Sequence, residues 1–114
     1  MYYTPTKMKS LKVIIHVSEK EKIKAAYNNI YNLLKEVEDV EIVLLLNSTV
    51  VKEIVNNKLL EKLLKINVNV SVCNNSLKAF GIDKSELLDG INVVAAGILE
   101  LVERQAAGFA YVRP

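Results

Sequence analysis

The chain holds one cysteine and one histidine, the two side chains best suited to chemistry near neutral pH. Cys73 closes an alternating apolar and polar run, VNVSVC, and is followed at once by Asn74, Asn75 and Ser76, which open a helix. A thiolate in that place meets unpaired backbone amides and the positive end of a helix dipole, which stabilise it and raise its reactivity at neutral pH. Such a thiol offers nucleophilic or sulfur-carrying chemistry. The same position also suits a cysteine packed under the last turn of its strand, where burial raises the pKa, and position alone leaves the two open.

His16 lies inside an apolar run, with Ile15 and Val17 pointing to the opposite face. It reads as a core or interface histidine with a satisfied hydrogen bond, and a pairing with Cys73 across the end of a sheet is the alternative. Glu100 and Arg104 stand one helical turn apart and read as a surface ion pair. The glycines fit neither a dinucleotide fingerprint nor a phosphate-binding loop, so no nucleotide cofactor is expected. A complete acid, base and nucleophile set for hydrolysis is not evident.

Apolar runs of strand length alternate with stretches of helical period, the order of βαβ units in a mostly parallel sheet. Strands are expected over 11–17, 40–46, 68–73, 91–96 and 109–112. Ser18 is expected to cap a helix that lays Ile23, Ala26, Tyr27, Ile30, Leu34 and Val37 on the sheet. A second helical stretch breaks near Asn56 and Asn57 and resumes with Leu59, Leu60, Leu63 and Leu64. Gly97 is expected to allow a tight turn before a helix over 98–107, which Gly108 ends in the left-handed conformation. Right-handed crossovers then give an α/β fold, a three-layer α/β/α sandwich with about five strands. Ligands of such sheets bind beyond the carboxyl ends of the strands. That rim would be lined by His16, Ser18, Asn47, Ser48, Cys73, Asn74, Asn75 and Gly97.

The 114 residues suit one domain over 11–114, and residues 1–10 read as an N-terminal extension whose composition leaves order and disorder open. With 51% hydrophobic and 25% charged residues the chain can bury a core of its own. A formal charge of +2, with both signs interleaved, does not advertise nucleic acid or an anionic membrane as partner. No signal-peptide core or membrane-length apolar run is visible, and a lone thiol suits a reducing interior, so a cytoplasmic location is expected. One cysteine and one histidine do not make a soft-ligand metal site, and no metal is expected.

Three segments together resemble the DsrE/DsrF-like family of small α/β proteins, in its stand-alone archaeal and bacterial branch. They are Asn29 and Asn32 followed by Leu33 and Leu34, then SVCNNSLKAFGI over 71–82, and AAGILELVERQAAGFAYVRP over 95–114, with Gly97, Glu100, Arg104, Gln105, Gly108, Tyr111 and Pro114 in the family's pattern. The resemblance implies that Cys73, with Gly81 eight positions on, matches the cysteine that carries sulfur as a persulfide in sulfur-relay members. Phe80 stands where those members often have a basic residue, and Asn47 where the stand-alone branch is expected to have glycine. The resemblance further implies a homo-oligomer, trimer or hexamer or in some cases dimer, and sulfur donor and acceptor proteins as partners. The alternative is a non-catalytic oligomeric module that binds a small ligand or a protein through the same rim.

Overall fold

The apolar runs LKVIIHV and VEIVLLL become β1 (Leu11–Val17) and β2 (Val40–Leu46), joined by β3 (Asn69–Cys73), β4 (Asn92–Val94) and β5 (Ala110–Val112). They alternate with helices α1 (Ile23–Glu36), α2 (Lys58–Lys65), α3 (Asn74–Ala79) and α4 (Gly97–Ala106). This is a computed structural model, and it describes residues 10–114. The extension expected over 1–10 therefore lies, except for Ser10, outside the described residues.

All five strands are parallel, in the order β4-β3-β2-β1-β5. The chain steps from β1 to β4 in one direction, then returns across the sheet to lay β5 beside β1. Right-handed crossovers place connections that step one way on one face and the returning connection on the other. Helices α1, α2 and α3 accordingly share a face, where Ile23, Ala26, Ile30, Leu60, Leu63 and Leu77 pack on Val13, Ile15, Ile42, Leu44, Val70 and Val72. Helix α4 covers the opposite face by itself, with Leu101 and the following Phe109 on Ile14, Val43 and Leu45. The result is a thick closed layer on one side and a thin, incomplete layer on the other.

Strand parity decides which residues meet the thin layer. Ile14 and His16 share it, as do Val43 and Leu45. Because Leu45 pairs with Ser71, both Ser71 and Cys73 point the same way. Tyr111 pairs with Ile14, so Tyr111 and Arg113 join that face from β5. Among the described residues no helix is long and apolar enough to cross a membrane.

Several local expectations are corrected. Ser18 does not cap α1: Glu19 precedes a 3-10 turn over Lys20–Lys22 that leads into the helix, and no side chain caps either start. The segment after β2 is a 3-10 stretch, Ser48–Glu53, rather than a regular helix. The break near Asn56 and Asn57 is a true boundary, with Asn56 left-handed at φ 58° and the Asn57 side chain accepting from the Leu59 and Leu60 amides at 3.0 and 3.1 Å. Gly97 makes no turn of its own and is the first residue of α4, whereas Gly108 does end that helix with φ 96°.

Candidate functional site

At the carboxyl ends of the strands the thin layer becomes polar. Cys73 is the last residue of β3 and immediately precedes α3, so the first free amides of that helix lie over its sulfur. Cys73 is 6% exposed. Burial is the largest single influence on it and pushes its pKa up. Hydrogen bonds from the Ser76 side chain and from the backbone amides of Gly97, Ser76 and Asn75 together outweigh burial, and the thiol sits below its ordinary value. Ser76 is itself oriented, because its Oγ accepts from the Ser48 amide at 2.8 Å and leaves its proton free for the sulfur. Ser48 reaches that position with a left-handed backbone, φ 60°, which residues with side chains rarely adopt.

Gly97 closes the other side of the sulfur. A Cβ on it would lie in ordinary contact with the Cys73 Cβ, at 3.5 Å, but only 3.3 Å from the Asn47 Nδ2, so its missing side chain leaves room for the Asn47 amide at the start of α4. Asn47 follows Leu46, which pairs with Val72, and thus stands in the same row as Cys73. Its Oδ1 lies 2.9 Å from His16 Nε2. The other ring nitrogen, Nδ1, lies 2.8 Å from the Tyr111 hydroxyl and 3.2 Å from Arg113 Nη1. Arg113 continues through Nη2 to Ser18 Oγ at 2.9 Å and to Glu19 at 3.8 Å.

Of the residues that the sequence singles out, the structure therefore gathers Cys73, Asn75, Gly97, Asn47, Ser48 and His16 at one rim. Ser18 belongs to the Arg113 end of the cluster, and Asn74 opens α3 without its amide reaching the sulfur. His16 is buried, at 8% exposure, and hydrogen-bonded at both nitrogens, and neither goes to Cys73. Glu100 and Arg104 do pair, at 3.2 Å, but the Glu100 side chain is only 11% exposed and takes a hydrogen bond from the buried Ser71 hydroxyl, so the pair is no solvated surface bridge. Ser76, Tyr111 and Arg113 join the rim beyond the residues that the sequence marks. Ser76, three positions after Cys73, has the spacing of a residue at the first helical turn, whereas Tyr111 and Arg113 reach His16 only because β5 pairs with β1.

The DsrE/DsrF-like family model matches residues 11–114, nearly the whole chain. This chain belongs to the DsrE/DsrF-like family. Among curated proteins none matches it. Among solved structures it is similar to the protein of unknown function MTH1491 from Methanobacterium thermoautotrophicum, at 29% identity and TM-score 0.86, over 92% of this chain and 100% of that one. The YchN protein of E. coli shares the fold at 19% identity and TM-score 0.78, over 91% of this chain and 99% of its own. So does BT1422 from Bacteroides thetaiotaomicron, a conserved protein of unknown function, at 18% identity and TM-score 0.69, over 90% and 94% of the two chains. As a DsrE/DsrF-like domain, the chain has the family fold with a buried, amide-surrounded thiol at the end of its third strand.

Proposed function

We propose that this DsrE/DsrF-like protein is an intracellular sulfur carrier in which the Cys73 thiolate accepts sulfane sulfur and passes it on. The observation that carries the reading is the convergence on one buried thiol of four hydrogen-bond donors, one hydroxyl and three backbone amides, which favour its thiolate form. In the loading step the thiolate attacks the outer sulfur of a polysulfide or of a donor protein's persulfide. A new S–S bond forms on Cys73 while the donor's S–S bond breaks, and that electron pair leaves with the remainder of the donor. In unloading, an acceptor thiolate attacks the outer sulfur and Cys73 departs as thiolate. No outside oxidant or reductant enters either step.

The donors that stabilise the thiolate serve both steps, since Cys73 is nucleophile in the first and leaving group in the second. A reducing, cytoplasmic setting keeps such a thiol free. We further propose that the protein works as a homo-oligomer whose copies meet over α4. That helix leaves Ile98 68%, Val102 56% and Leu99 51% exposed, a contiguous apolar surface above an already thin layer.

The test is intact-protein mass spectrometry after incubation with a polysulfide donor. Wild type is expected to gain one or more sulfur atoms that a reductant removes, and Cys73→Ser to gain none. A wild-type mass unchanged by the donor would leave the rim as a site for binding rather than transfer.

A further inference from the structure

The donor set around Cys73 has a fifth candidate, and its orientation follows from a residue at the far end of the rim. An arginine guanidinium can only donate. Arg113 Nη1 lies 3.2 Å from His16 Nδ1, so that nitrogen must present its lone pair, with the Tyr111 hydroxyl at 2.8 Å able to donate to it as well. The ring proton then sits on Nε2, which faces Asn47 at 2.9 Å and needs an acceptor there. Only the carbonyl end of the Asn47 amide accepts, so the NH2 end turns away from His16. It turns toward Gly97 and Cys73, to within 3.3 Å of where a Gly97 Cβ would stand. Among the described residues this NH2 group donates no hydrogen bond, and it is open to solvent rather than buried without a partner.

We propose that Arg113, His16 and Asn47 form a relay of fixed hydrogen-bond polarity that aims the Asn47 NH2 group into the Cys73 pocket as a donor to anionic sulfur carried there. The inference rests on the reading of Cys73 as the reactive group. Arg113 and His16 are positioning residues in it, and Asn47 is the residue that meets the sulfur. A persulfide extends the side chain by an S–S bond of about 2 Å. The amides of Asn75, Ser76 and Gly97 are already engaged at Sγ, so the charge on the outer sulfur needs a donor beyond them. Asn47 supplies that donor without adding a charge that would hold the sulfur against release.

With one histidine and one cysteine in the chain, the centre of the relay and the group it serves can be read without ambiguity. Nitrogen-15 NMR of the wild type is expected to show His16 protonated at Nε2 and bare at Nδ1. The Asn47 side-chain NH2 signals are expected to move with the titration of Cys73, and to stay still in Cys73→Ser. Asn47→Leu, which keeps comparable bulk and removes the donor, is expected to shorten the lifetime of the Cys73 persulfide by about tenfold, the effect of roughly one charge-assisted hydrogen bond. A His16 proton on Nδ1, an Asn47 signal blind to the Cys73 titration, or an unaltered persulfide lifetime would each overturn the relay. Failure of wild type to take up sulfur at all would instead sink the carrier reading, while the NMR result would still decide the direction of the relay.

Discussion

The two faces of the sheet are built from alternate residues of the same strands, yet they differ in kind. On the closed face Val13, Ile15, Leu44 and Val72 meet three helices, and among the described residues the buried side chains there are all apolar. On the thin face the same strands contribute His16, Ser71 and Cys73, and one helix must serve as both lid and outer surface. The difference teaches that stability and chemistry are divided by strand parity: the odd positions of β1 and the even positions of β2 hold the fold, while their neighbours carry the site.

Substitutions on the two faces should therefore separate stability from reactivity. The largest loss of stability is expected from Leu44→Ala on the closed face, about 2–5 kcal/mol in denaturant unfolding, with the alkylation rate of Cys73 in the folded protein unaltered. Asn57→Ala removes the side-chain cap of α2 and is expected to cost about 1 kcal/mol by the same measurement. It too should leave the thiol untouched. On the thin face the order reverses. Gly97→Ala gains helix propensity but crowds the Asn47 amide, 3.3 Å from the new Cβ, so its stability should stay within about 1 kcal/mol of wild type while alkylation of Cys73 slows. Val102→Lys on the exposed side of α4 should change the stability of the subunit by no more than about 0.5 kcal/mol. Analytical ultracentrifugation should nonetheless show it shifted toward monomer. A Val102→Lys protein that associates as wild type does would move the interface away from α4.

The lowered thiol pKa also gives a pH signature with a definite sign. A group whose folded pKa lies below its unfolded one contributes stability that is complete above the unfolded value and is lost as pH falls through the folded value. The melting temperature of wild type relative to Cys73→Ser should thus rise as pH is raised toward and past the ordinary thiol pKa of about 8.5. A difference that shrinks over that range would mean that burial, not the surrounding donors, governs the thiol.

Much of this division was legible in the sequence. The limits of β1 and β2 follow from mostly apolar runs bounded by Ser18 and by Asn47, and the change from VNVSVC to NNS puts Cys73 between strand and helix. What was not legible depends on which strands lie side by side. Tyr111 and Arg113 come to His16 through the β1–β5 pairing, about 95 positions apart in the chain, and no local pattern encodes that choice. Ser18 looked like a cap because of its residue type, but the backbone enters α1 through a 3-10 turn and its hydroxyl is claimed by Arg113. Glu100 looked solvated because it pairs with Arg104 at helical spacing, and only the packing of α4 over Ser71 shows otherwise. Gly97 has the composition of a turn, whereas it opens α4 and leaves room there for the Asn47 amide.

Sulfur transfer requires an activated thiolate at Cys73, and the pH dependence of alkylation of this single cysteine in the wild type measures it directly. The rate is expected to rise through an inflection below the free-cysteine value of about 8.5. An inflection at or above that value would show that burial has won over the hydroxyl and the three amides, and would contradict the carrier reading at its base.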